Sequence, residues 1–285
     1  MLRLGQLALP LRVGPYFATQ AEEPMLLGDY AASVGREVVR DECRTWARLG
    51  TDQGFELCVD AQGAVRAVLL DWEEELRYVS SSPEAFAAPL SALDRALRFI
   101  LATDEPQQAG QAFAQLEERL RSIDAQAFAG RENWWPLVLD DIRDTASAEW
   151  FTAFEVLNGQ DEKQIVTASG GIGVHPEEKL WEQLHAAGFE AEQVLRIHTE
   201  LQPCFTPGHH CSIWLGQVFP DAQMTHNSTI HEPGSPQSPA RTSPTPYSKP
   251  IHWTGSGSRS ANSPDTSSPS TPERAVETRP GSSPS

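Results

Sequence analysis

Between residues 172 and 211 the chain carries a histidine–glutamate pair and two cysteines at intervals that suit a metal ion with a proton shuttle beside it. They read His175-Pro176-Glu177, then Glu200-Leu-Gln-Pro203-Cys204, then Pro207-Gly-His209-His210-Cys211. Imidazole and thiolate are ligands that zinc accepts, and a site limited to three protein donors keeps a fourth position for water. A carboxylate next to that position, not itself a ligand, can carry protons. The chemistry these types permit is hydrolytic, with water attacking an electrophilic carbon and a proton handed to the departing group. The same types also permit a closed structural zinc site, with His209 or His210 as fourth donor, or a cluster without metal.

The neighbouring sequence supplies elements able to present these groups. After His175, Leu180, Trp181 and Leu184 recur at helical spacing, and Gly188 is suited to a C-cap. Proline is tolerated in a first helical turn, so Pro176 begins that helix and His175 stands at its N-terminus, with Glu177 two residues on. Residues 193–201 alternate apolar and polar side chains, predicting a half-buried strand that leads to Pro203-Cys204. His198-Thr-Glu200 is a second His-x-Glu, but it lies on that strand and too close to Cys204 to come from a separate helix. His198 is therefore expected at the surface or on a substrate side, and His185 at a solvated helix position.

A His-x-Glu, a strand and then Pro-Cys opening a second helix is the order found in zinc-dependent base deaminases. The interval from Cys204 to Cys211 is wider than a compact Pro-Cys-x-x-Cys, and the run ends Ser-Ile-Trp214-Leu215-Gly-Gln-Val-Phe219-Pro220. With this insert, residues 150–228 resemble the deaminase domains of bacterial polymorphic toxins. The resemblance implies an α/β fold of the cytidine deaminase superfamily with His175, Cys204 and Cys211 as zinc ligands. It implies Glu177 as the catalytic acid/base, and a cytosine or adenine, in a nucleotide or nucleic acid, as the group acted on.

Length and charge bound the rest. Residues 231–285 hold 11 of the 22 prolines, many serines and few apolar residues, so this tail is expected to be disordered. The remaining 230 or so residues suit two domains. The net charge is −17, to which the tail contributes almost nothing. Such acidity argues against charge-driven duplex binding and suits a partner with basic surface. Cys43 and Cys58 are expected to behave as small buried apolar residues, with no disulfide framework. Neither a signal peptide nor a membrane span is read, so the default location is the cytoplasm, with non-classical export as the route if the chain acts as a toxin.

Ahead of the zinc-type segment the pattern is different. Phe55-Glu-Leu-Cys-Val-Asp60 alternates, residues 61–63 turn the chain at Gly63, and residues 64–70 return as the paired strand. Residues 77–79 give a third strand, then Ser80-Ser-Ser-Pro83-Glu84 starts a helix through Leu90, Leu93 and Leu97. Further helices are read at 111–123 and around Trp134 to Ile142, an α+β pattern. These residues, with Tyr78-Val-Ser-Ser-Ser-Pro-Glu-Ala-Phe86 and Ile123-Asp124, resemble the fourth subgroup of the SUKH superfamily, immunity domains of bacterial toxin systems. That resemblance implies a cognate toxin protein as partner, with Phe86, Leu93 and Trp134 as core. An unrelated α+β domain sharing a hairpin and helix is the bland alternative.

The expected organisation is thus a SUKH-4-like domain at 1–146, a zinc deaminase-like domain at 147–230 and a disordered Pro/Ser-rich tail at 231–285. Residues 150–157 and 163–168 are read as two strands around Asn158-Gly159, and residues 222–225 as a further short strand. The resemblance to deaminases implies one more sheet element than these, where this chain passes into the Pro/Ser-rich tail instead. A non-catalytic toxin-binding protein with a structural zinc domain is the competing expectation.

Overall fold

A computed structural model of the chain describes residues 7–19, 25–147, 150–228 and 254–255. The expected hairpin is present as β4 (Phe55–Val59) and β5 (Val65–Leu69), paired antiparallel from Phe55↔Leu69 to Val59↔Val65. Asp60 shapes the turn: its Oδ1 accepts the amides of Gln62 and Ala64, each at 2.9 Å, while Gly63 takes a φ of +86° that disfavours other residues. β6 (Arg77–Ser80) adds on one side, and β3 (Ala47–Thr51), β2 (Phe17–Ala18) and β1 (Arg12–Val13) on the other, in the order β1-β2-β3-β4-β5-β6.

This sheet is wider than the three strands expected. β1 and β2 have two residues each, too short for alternation to register, and β3 contains Gly50 and a register shift between Arg48 and Gly50. A short helix, α1 (Leu27–Ser33), also escaped the sequence reading. It covers the second face of the sheet, where Leu27, Ala31, Cys43, Cys58 and Leu70 form a small cluster. Both cysteines are therefore buried apolar residues, as expected. With both faces covered, every residue of β4 is buried.

The main core lies on the other face, under α2 (Pro83–Ala102), α3 (Pro106–Ile123) and α4 (Trp134–Ser147). Ser82 caps α2 by accepting the amide of Ala85 at 3.1 Å, with Pro83 in the first turn. α3 starts at Pro106, five residues ahead of the expected 111, because the polar Gln107, Gln108 and Gln111 carry no apolar period although proline favours a first helical position. Phe86, Leu93 and Trp134 are fully buried, consistent with core roles.

The second sheet has the order β11-β10-β9-β7-β8. β7 (Phe151–Leu157) and β8 (Lys163–Ser169) form the expected antiparallel hairpin, and β9 (Val194–Leu201) lies antiparallel to β7. α5 (Pro176–Ala186) joins β8 to β9; α6 (Cys211–Val218) crosses from β9 to β10 (Gln223–Ser228), which runs parallel to it. β11 (Thr254–Gly255) extends the edge in parallel register. Apart from those two residues, positions 231–285, for which disorder was expected, lie outside the described residues. No helix among the described residues is long and apolar enough to cross a membrane.

Candidate metal centre

Two helix starts and one loop converge at the expected site. His175 is the N-cap of α5, Cys211 is the first residue of α6, and Cys204 stands in the loop after β9. His175 Nδ1 lies 3.2 Å from Cys211 Sγ and 3.5 Å from Cys204 Sγ. One nitrogen and two sulfurs around a tetrahedral zinc would sit about 3.6 Å apart, given typical zinc–ligand bond lengths. His175, Cys204 and Cys211 thus form a group that could hold a metal ion, and its donor chemistry fits zinc.

Electrostatics at the cluster favour one thiolate, Cys204, beside one protonated thiol, Cys211. Burial alone would raise the Cys204 thiol, but hydrogen bonding from Cys211 and the adjacent His175 ring hold it well below its usual value. Burial and the neighbouring Cys204 charge push Cys211 well up. Burial likewise favours a neutral His175, but Cys204 and Asp141 outweigh it and raise the imidazole well above its ordinary range. Glu177 sits in the first turn of α5 with 6 % of its surface exposed, and burial raises its carboxyl to about 7.

Neither extra histidine of the insert joins the three donors. The His209 ring stacks on His175 at 3.7 Å between centroids and 8° between planes, with its Nδ1 2.9 Å from Glu178 Oε2. His210, with a left-handed φ of +46°, turns the other way, and its Nε2 lies 3.0 Å from Asp52 Oδ1. A second group, Asp141, His175 and His209, also has metal-ligand types, but it uses the opposite nitrogen of the same His175 ring. His198 stays on β9 with its Nδ1 2.9 Å from Thr225 Oγ1, away from the cluster, and His185 is exposed against Trp181.

Sequence reasoning missed what surrounds the centre, namely the N-terminal half of the chain. Asp141 of α4 meets His175 Nε2 at 2.9 Å and accepts the Tyr16 hydroxyl at 2.7 Å. The Arg77 guanidinium lies over both the Phe55 and Phe205 rings and donates to the Phe205 carbonyl at 3.1 Å. Gly208 donates its amide to the Asp52 carbonyl at 2.9 Å. Asp141 did leave a trace in the sequence: an acidic residue among Val138, Leu139 and Ile142 on the apolar side of a helix is out of place unless something buried pairs with it.

Comparison with known families divides the chain as the two sheets do. Residues 3–141 match the family of SUKH-4 immunity proteins, and residues 148–240 match the family described as Xanthomonas-like deaminase. No curated protein and no solved structure matches the chain.

Proposed function

We propose that this chain, a SUKH-4 immunity domain fused to a deaminase-family domain, is a zinc-dependent hydrolytic deaminase of a nucleobase, working within a bacterial toxin and immunity system. The observation that carries the reading is the convergence of His175 Nδ1 and the two thiols at the start of the helix that also bears Glu177. His175, Cys204 and Cys211 would hold the ion, which supplies Lewis acidity toward an attacking water. Glu177 takes the proton from that water and passes it to the departing ammonia, a task for which a carboxyl that titrates near neutral pH is suited. Pro176 fixes the first turn of α5, so the two-residue step from ligand to proton carrier lies within that turn.

The substrate is a cytosine or adenine, free or within a nucleic acid, and the amidine carbon is the point of attack. The N-terminal domain binds a cognate toxin protein, and the acidic balance of −17 suits a basic partner. The test is zinc content together with ammonia release from cytidine- and adenosine-containing substrates. Glu177→Ala should retain zinc and lose activity by about 10²- to 10⁴-fold, the usual contribution of a positioned acid/base. Full turnover by that variant would remove the assigned shuttle.

A second reading is a toxin-binding protein whose zinc domain is structural. It draws on the burial of Glu177 and on the contact of the Cys204–Cys211 insert with the immunity domain. Zinc-loaded chain without ammonia release on any base, yet able to capture a toxin, would favour it.

A further inference from the structure

We infer that Asp141, contributed by the immunity domain, is a positioning residue for the metal centre of the deaminase domain: it grips His175 by Nε2 so that Nδ1 faces the two thiols. The inference rests on the zinc reading of His175, Cys204 and Cys211. An imidazole presents two nitrogens in opposite directions, and only one can face an ion. Here Nδ1 lies 3.2 and 3.5 Å from the sulfurs while Nε2 lies 2.9 Å from Asp141 Oδ1. A carboxylate accepts and cannot donate, so the proton on Nε2 is held in place and the proton free to leave is the one on Nδ1. Partners that orient the far nitrogen of a metal-binding histidine typically contribute about 10- to 100-fold in metal affinity.

Asp141 is itself fixed. Its side chain is 4 % exposed, Tyr16 donates to Oδ2 at 2.7 Å, and Thr206 donates to Oδ1 at 3.3 Å. His209 Nε2 approaches Oδ2 at 3.4 Å, and the same ring stacks on His175. The His175 ring is thus held edge-on by Asp141 and face-on by His209. What sets Asp141 apart is its origin. It closes the immunity-family segment at 3–141, seven residues ahead of the deaminase-family segment at 148–240, and Tyr16 comes from the far end of the chain. One domain therefore supplies the donors and the other aims them.

The experiment measures zinc affinity of the full chain by chelator competition, together with the ligand-field absorption of the cobalt-substituted protein. Asp141→Asn, nearly isosteric, should weaken zinc about tenfold and shift the cobalt bands, and Asp141→Ala should weaken it about 100-fold. Tyr16→Phe, which loosens Asp141 without touching His175, should produce a smaller loss in the same direction. Asp140→Asn, one residue away and paired with Arg143, should change neither readout. Unchanged zinc affinity and cobalt absorption in Asp141→Asn would overturn the assignment, and that variant carries the decision if the alanine chain fails to fold. A wild-type chain that takes up no zinc, or a Cys204→Ser chain that keeps full affinity, would instead sink the metal-centre reading, so the two failures are distinct.

Discussion

His210 Nε2 lies 3.0 Å from Asp52 Oδ1 across the boundary between the two family segments, and the two side chains are 1 % and 0 % exposed. Asp52 also accepts the Phe55 amide at 2.7 Å and the Trp134 indole at 2.8 Å, so one carboxylate ties the β3–β4 turn, α4 and the Cys204–Cys211 insert together. Burial alone would raise its pKa, but the His210 ring, the Phe55 amide and the Trp134 indole outweigh that and lower it.

Removing the carboxylate leaves the Gly54 and Phe55 amides, the Trp134 indole and the His210 ring without their acceptor. Asp52→Ala is expected to cost about 3–5 kcal/mol of unfolding free energy, as loss of one partner in a buried pair typically does. His210→Ala, which leaves Asp52 the Gly54 and Phe55 amides and the Trp134 indole, should cost less. Because the folded pKa is lowered, the contribution of Asp52 is present above its unfolded value and is lost as pH falls through the folded one. Urea titrations at pH 7 and pH 3 check this: Asp52→Asn should narrow the gap between them, and an unchanged gap would remove Asp52 from the acid response.

Gly54 is the close-approach point of the same contact. A Cβ there would fall on the His210 ring. Gly54→Ala is therefore expected to push the insert away from β4 and to raise amide hydrogen exchange at residues 205–210, while residues of the β7–β9 pairing keep their protection. Uniform protection in the variant would show that the ring moves aside at no cost.

Glu177 should destabilise the metal-free chain. Its carboxyl titrates near 7 in the fold against an ordinary 4.5. A raised pKa means that the protonated form is favoured in the fold, so stability is full below the unfolded value and is lost as pH rises through the folded one. Glu177→Gln is thus expected to stabilise zinc-free protein by about 3 kcal/mol above pH 7 and by almost nothing below pH 4, since a tenfold change in proton affinity corresponds to about 1.4 kcal/mol. Thermal melts across that range read the difference, and a stabilisation independent of pH would contradict it.

Zinc removal should loosen more than the site. Cys204 and Cys211 lie at the ends of the insert that contacts the immunity domain, so a ligand bound only by the fold adds its binding free energy to stability. Chelation is expected to lower the melting temperature of the wild-type chain and to leave that of Cys211→Ser unchanged. Equal shifts in both would place the effect elsewhere.

Much of the candidate site was legible because the residue types that define it are encoded locally. The His175-Pro-Glu177 turn, the alternating strand and Pro203-Cys204 each declare an element and a ligand type within a few residues. The hairpin at Gly63 and the Ser82 cap were readable on the same terms. Asp141, Tyr16 and Asp52 were not, because their roles depend on partners 34 to 158 residues away. The strands β1 to β3 were hidden for a different reason: β1 and β2 have two residues each, and β3 is broken at Gly50 by a register shift.

Ile213, two residues beyond Cys211, belongs to the core packed around the six-stranded sheet, and Phe205 and Ile172 lean on it from the side. The two family segments therefore share part of one core. Severing the polypeptide near position 147 would strip greasy surface from both pieces at once.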